Sequence, residues 1–447
     1  MNRTGAPLKV ALVSLGCART LVDSEVALGG LSRDGYKIVR DVRQADIAIV
    51  NTCGFIEEAK TESIETVLGL CELKKKGKLG AVVVLGCLAQ RYGQELSDEL
   101  KEADAIVGTN DFNSLAKVLE PLRHKKRVVS VEPRPTFILD EKTPRFRLTP
   151  DHLSYVKISE GCINACSYCV IPKMKGPHRS RTIDSIVREV AGLPKSTREV
   201  NLIGQDTAAF GWDRSRKFEL PQLLDELAGL NQIPWLRLLY AHPGHVTDEM
   251  IEAIARNSSI CKYVDFPIEH THDAMLTRMN RGVTRQAMET ALNKLRKAMP
   301  GIQVRTTIIV GFPGETETEF KDLLDTLQEW RFERLGAFMF SDEEGARAHT
   351  MGDHLPEALK KERRDAVLEL QREISADCLQ NFVGKTIRVL IEEEGGEPGL
   401  FTGRSEGDAP EVDGQVFVRS EKSLPMGEFV NARITESLEY DLVGLAV

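Results

Sequence analysis

The chain has 447 residues, 42% of them hydrophobic and 28% charged, with a formal net charge of -8. That length suggests two to four folding units rather than one enlarged core, and the balance of apolar and charged residues excludes a disordered chain. No stretch reaches the roughly 18 uninterrupted apolar residues of a membrane span, and MNRTGAPLKVALVSLGC runs into a strand-like segment without a cleavable apolar region, so a cytoplasmic protein with no membrane partner is expected.

From Lys9 to about Pro121, short apolar runs (VALVSLG, DIAIVNTC, AVVVLGC) alternate with polar helical stretches such as EEAKTESIETVLGLCELKKK, the pattern of a parallel α/β domain. Pro133, Pro135, Pro144 and Pro150 then deny regular structure to the segment that follows, which marks a domain boundary. From Leu153 to about Cys378 six strand candidates (SYVKISEG, EVNLIGQ, LRLLYA, KYVDFPIE, QVRTTIIVGF, RLGAFMFS) are separated by helical stretches, which predicts a partial barrel of βα units. After Asn381 the runs KTIRVLIEEE, GQVFVRS and EFVNARITES, broken by glycines, predict a small β-barrel or sandwich. The expected fold class is therefore α/β: a parallel α/β domain over 8–124, a linker over 125–150, a partial (β/α)6 barrel over 151–380 and a small β-barrel over 381–447.

Nine cysteines in a reducing compartment point away from disulfides and toward metal or catalysis for some of them. Cys162, Cys166 and Cys169 form a CxxxCxxC arrangement just past the first barrel strand, where such folds place their active sites. Three thiolates on a short loop can each bind one iron of a cubane cluster and leave the fourth iron open. The competing reading is a zinc site, which usually recruits a fourth protein ligand, or packing residues. Cys17, Cys53 and Cys87 each follow directly on a predicted buried strand of the first domain, and parallel strands bring their carboxyl ends to one sheet edge. A second convergent trio is expected there, against the alternative of three small core residues. Cys71, Cys261 and Cys378 lack such context and are read as packing residues.

The cysteine motif, with Tyr168 before its last cysteine, resembles the radical S-adenosylmethionine superfamily. The resemblance implies two ligands at the open iron, the amino and carboxylate groups of S-adenosylmethionine, whose cleavage gives a 5′-deoxyadenosyl radical. It implies that Tyr168 packs near the adenine, and that Gly204 and Gln205 of LIGQD and Gly311 and Glu315 of IIVGFPGETE line the cofactor; a glycine after a strand is otherwise a turn residue. Where many relatives carry asparagine directly after the first cysteine, this chain has Ile163 and then Asn164.

The whole chain resembles the methylthiotransferase family, with an N-terminal cluster domain, a radical barrel and a TRAM domain. NTCGFIEEAKTES, KISEGC and GRSEGDAPEVDG resemble the branch that methylthiolates an aspartate β-carbon in small-subunit ribosomal protein twelve. The resemblance implies two 4Fe-4S clusters, two molecules of S-adenosylmethionine, an electron donor and a monomer; the rival branch modifies a tRNA adenosine. In PIEHTHDAMLTRMNRG, Glu269 stands where the family has glutamine, and His270 and His272 are read as structural.

From Asn381 onward thirteen acidic residues face six basic ones, so nearly all of the net charge of -8 sits in the tail. A domain that tracks phosphates needs the opposite sign, so the tail is expected to recruit a basic protein rather than RNA.

Overall fold

The computed structural model describes residues 7–447. The first domain is a six-stranded parallel sheet: β1 (Lys9–Ser14), β2 (Lys37–Ile38), β3 (Ile47–Thr52), β4 (Ala81–Gly86), β5 (Ala105–Val107) and β6 (Val128–Ser130), in the order β2-β1-β3-β4-β5-β6. β3 and β4 are buried along their whole length, as expected of IAIVNT and AVVVLG covered on both faces. The helices α1 (Ala18–Arg33), α2 (Glu57–Lys75) and α3 (Cys87–Glu99) each follow directly on one of the long strands.

β6 is a correction: its residues fall in the segment read as linker, yet Val128 to Ser130 pair with β5 as the last strand of the sheet. Three residues next to charged RHKKR are too few to show a strand period. The proline-rich remainder has no helix or strand, as predicted, but it is a fixed strap. Phe146 N donates to Glu25 O at 2.9 Å and Leu148 N to Glu25 Oε1 at 2.8 Å, and a Cβ on Gly29 would lie 2.3 Å from Pro144 O. Only glycine on α1 lets the strap lie so close.

The middle domain holds β7 (Leu153–Lys157), a two-stranded ribbon of β8 (Ser159–Glu160) and β9 (Arg179–Ser180), then β10 (Glu199–Ile203), β11 (Trp235–Leu238), β12 (Ile260–Asp265), β13 (Gln303–Val310) and β14 (Arg334–Met339). All six predicted strands are present, parallel, in the order β14-β13-β12-β11-β10-β7. They form an open partial barrel, its outer face packed by helices through a large apolar core that includes Val156, Val200, Leu236, Val264 and Val304. The long helix Glu357–Gln380 then leads to a closed barrel of β15 (Thr386–Glu394), β16 (Leu400–Ser405), β17 (Val416–Arg419), β18 (Phe429–Ser437) and β19 (Leu442–Ala446). β16 and β19 were not among the predicted strands, because Gly403 and Gly444 interrupt their alternation.

This barrel is fastened to the middle sheet by buried ion pairs. Arg404 Nη2 and Arg237 Nε both donate to Glu199, each at 2.7 Å; Arg334 Nη2 donates to Asp408 at 2.5 Å and Tyr263 Oη to Asp413 at 2.7 Å. Asp408 and Asp413 therefore form part of the domain joint, so the expectation that the tail's acidic residues recruit a basic protein is corrected for these two, which are taken up by Arg334 and Arg305. Of the fastening side chains, Glu199 and Arg334 open their strands and Arg237 lies within β11, whereas the motif cysteines follow the end of β7.

Candidate active site

The three N-terminal cysteines converge because each leaves a parallel strand at the same edge. Cys17 precedes the first turn of α1, Cys53 follows β3, and Cys87 opens α3. Tight backbone turns bring them close: Gly16 has φ +93° and a Cβ there would lie 3.2 Å from Cys53 Cβ, while one on Gly54 would lie 2.8 Å from Leu88 Cα. The middle domain supplies Cys162, Cys166 and Cys169 from the loop after β8, and all six cysteines line one cavity of about 290 Å³. None of them is in a disulfide.

The joint that brings the two trios face to face is itself buried. Asp23 of α1 accepts from Lys175 Nζ at 2.8 Å and from Lys157 Nζ, and Lys157 also donates to Glu160 at 2.8 Å. On the far side Glu343, 2% exposed, joins Lys60 at 3.0 Å and Arg91 at 2.6 Å. An uncompensated charge at either place would be costly, so each joint holds its geometry strongly.

The sulfur environments suit metal-bound thiolates. Asn164 N and Nδ2 lie 3.4 and 3.5 Å from Cys162 Sγ, Ile171 N lies 3.4 Å from Cys169 Sγ, and Arg281 Nη1 lies 3.5 Å from Cys166 Sγ. In the other trio Arg19 Nε donates to Cys17 Sγ at 3.4 Å. Such donors offset thiolate charge and tune a cluster held by it. Burial pushes the Cys162 thiol up to about 11 and those of Cys87 and Cys169 up to about 12. Burial acts on Cys17 in the same sense, but the charge and hydrogen bond of Arg19 outweigh it and bring that thiol down to about 6. An all-sulfur donor set of three per trio, with no further cysteine on the cavity wall, fits iron-sulfur chemistry with one open position per cluster.

The cavity also asks for a polar ligand. Tyr168 Oη, Gln205 Oε1, His242 Nε2 and Glu269 Oε2 are buried atoms on residues of its wall, and none has a hydrogen-bond partner among the described residues. Glu269 is held at φ +69°, a strained value for a side-chain-bearing residue. Burial pushes its carboxyl up, against the pull of Arg281.

Of the residues expected to contact the cofactor, Tyr168 and Gln205 line this cavity. Gly204, Gly311 and Glu315 are not on its wall. Glu315 is occupied elsewhere: Oε2 accepts from Gly311 N and from Arg363 Nη1, both at 2.6 Å, and Oε1 faces His270 Nε2 at 3.2 Å. Gly311 has φ +74° and packs where a Cβ would lie 2.5 Å from Lys360 Cγ, so the helix Glu357–Gln380 is what requires it. Gly204 offers its carbonyl to Arg19 Nη1 at 3.2 Å. His270 is fully buried in this network.

Sequence reading missed Arg19, Lys175, Tyr240, His242 and Arg281, which come to the wall from four separate segments. For Arg19 a signal existed, a cation two residues after a cysteine at a helix start. Asp206, His242 and His245 also gather, their ligand-capable atoms within 4.8 Å of one another. Asp206 accepts from Asn164 Nδ2 at 2.8 Å and His242 N at 3.3 Å and faces His245 Nδ1 at 2.7 Å, so it holds Asn164 against Cys162.

Three family matches cover this architecture: uncharacterized protein family UPF0004 over residues 9–108, the radical SAM superfamily over 156–327 and the TRAM domain over 383–447. A ribosomal protein uS12 methylthiotransferase RimO of Clostridioides difficile (strain 630) is 45% identical over 438 residues, covering 98% of each chain. Another RimO, of Thermoanaerobacter sp. (strain X514), is 46% identical over 436 residues, covering 97% of this chain and 99% of its own. Among solved structures, a radical S-adenosylmethionine methyltransferase, TsrM, from Kitasatospora setae aligns with a TM-score of 0.56 at 16% identity, covering 74% of this chain and 75% of that one, which speaks to the fold alone. With such identity to both relatives over nearly its whole length, this chain belongs to the RimO family of ribosomal protein uS12 methylthiotransferases, within the radical SAM superfamily.

Proposed function

We propose that this chain transfers a methylthio group to the β-carbon of an aspartate in ribosomal protein uS12, acting in the cytoplasm as a monomer with an external electron donor. The observation that carries the reading is the meeting of two all-cysteine trios on one cavity, in a chain whose relatives bear that activity as their name. When bound, 4Fe-4S clusters and S-adenosylmethionine supply the one-electron chemistry that opens an unactivated carbon-hydrogen bond, which acid-base side chains cannot do.

The protein's part is to hold and orient. Cys162, Cys166 and Cys169 would hold one cluster and Cys17, Cys53 and Cys87 the other, at a separation set by the Asp23–Lys175 and Glu343–Arg91 joints. Asn164, Ile171 and Arg281 stabilise the first set of sulfurs and Arg19 the second. Tyr168, Gln205, His242 and Glu269 present free polar atoms to the molecules between them. Phe55, Ile171 and Met174 line the same space with apolar surface and exclude water that would quench a radical. Mass spectrometry of uS12 from cells with and without the gene tests the reading: one aspartate should carry a methylthio group only when the gene is present, and identical uS12 masses would overturn it.

A further inference from the structure

Beside the cysteine cavity lies a larger one of about 650 Å³, which shares Phe55, Tyr168, Glu269 and Thr307 with it. One wall is β14, the end strand of the middle sheet, paired with β13 on one side and with no strand on the other. Phe338, the fifth of its six residues, is 49% exposed. The helix Glu357–Gln380 packs against β14 and adds Arg364 and Leu368 to the groove, but no strand pairs with this end strand, and an unpaired end strand is a template for another chain. The opposite wall is Phe55 and Ile56 at the start of α2.

The mouth is acidic. Glu58 lines it and the exposed Asp342 adjoins it, while Glu57 beside them is paired with Lys60 at 2.6 Å and donates from its N to Ser341 Oγ at 3.4 Å. Arg364, the one cation on the wall, is neutralised by Asp365 at 2.7 Å. Such a mouth repels phosphate and attracts a basic chain.

We propose that this groove receives an extended segment of the basic protein substrate, which adds a strand to the free edge of β14 and passes the side chain to be modified across the Tyr168–Glu269 partition into the cysteine cavity. The inference rests on the uS12 reading given above. Strand addition takes affinity from main-chain hydrogen bonds and specificity from alternate side chains. The six residues of β14 offer an edge of about 20 Å, enough for about six residues of the partner.

The test uses the full chain with both clusters reconstituted and a fluorescent peptide spanning the modified aspartate of uS12, followed by anisotropy and by KM and kcat for transfer. N-methylation of alternate peptide amides in one phase should weaken binding about tenfold through two lost hydrogen bonds, and in the other phase should leave it unchanged. That arm leaves the protein untouched, so misfolding cannot produce it. Glu57→Lys with Glu58→Lys should raise KM and flatten the salt dependence of binding. If the enzyme modifies uS12 but neither phase of N-methylation nor charge reversal alters binding, the groove is not the dock while the function stands. If intact uS12 is never modified, the function falls and this inference with it.

Discussion

Arg19 donates from Nε to the Cys17 sulfur at 3.4 Å, and the same guanidinium lies 4.4 Å from the centroid of the Tyr240 ring. One residue of the first domain thus joins the sulfur of Cys17 to Tyr240 of the middle domain. Arg19→Ala should impair loading of the N-terminal trio: a reconstituted protein with about eight irons should fall toward about four, because the other trio is untouched. Iron and acid-labile sulfide analysis checks this, with Arg19→Lys expected to retain more iron than Arg19→Ala.

Replacing Cys162, Cys166 and Cys169 together should likewise remove about half of the iron and abolish reductive cleavage of S-adenosylmethionine to 5′-deoxyadenosine. Replacing Cys17, Cys53 and Cys87 should remove the other half, spare that cleavage and abolish methylthio transfer. Zinc in either trio, or loss of all iron from one triple replacement in a folded protein, would contradict two separate centres.

Cluster loading should depend on pH with a definite sign. Burial holds the Cys162 thiol up at about 11 and Cys87 and Cys169 at about 12, so metal binding must displace their protons and strengthens as pH rises. Reconstitution should be slower and less complete at about pH 6 than at about pH 8, read from the absorbance of the bound clusters.

The C-terminal joint gives a stability prediction. Arg404→Ala removes a partner from both Glu199 and Glu392, buried and half-buried, and should cost about 3 kcal/mol in denaturant unfolding. Burial raises the Glu392 carboxyl, but the nearby His152 and the charge and hydrogen bonds of Arg404 outweigh it and hold it down at about 2, below its ordinary value near 4.5. A depressed carboxyl stabilises above its unfolded value and ceases to do so as pH falls toward the folded one. Wild type should therefore lose this contribution between those two values, and Arg404→Ala should show a shallower acid limb.

Charge reversal in GRSEGDAPEVDG should separate into two classes. Asp408→Lys places a cation against buried Arg334 and should undock or unfold the small barrel, visible as a loss of several degrees in Tm. Glu411 is exposed at φ +67°, so Glu411→Gly should stabilise by about 0.5 kcal/mol through relief of backbone strain. The barrel should not bind a tRNA anticodon stem-loop tightly at physiological salt; electrophoretic mobility shift checks this.

Much of the architecture was legible because its signals are local. Each of the six middle strands is a short apolar run bounded by turn residues, and each N-terminal cysteine abuts such a run, so parallel pairing alone predicts their convergence. What was not legible depends on partners far apart in the chain. Asp408 reads as a solvated acid until Arg334 is placed beside it, and Glu315 reads as a strand-end ligand until Gly311, His270 and Arg363 take up both its oxygens. Glu269 was noticed as a departure, but only the fold shows it at the partition between two cavities.

The buried Asp23–Lys175 contact also orders events during synthesis. Domains fold as units from the N-terminus as the chain emerges. Residues up to Ser130 complete the first sheet, with Cys17, Cys53 and Cys87 gathered at its edge, before Lys157 and Lys175 have left the ribosome. For that interval the trio faces solvent without a roof, open to whatever delivers iron and sulfide. Arrival of the middle domain then sets Cys162, Cys166 and Cys169 opposite it, on the wall of one shared cavity.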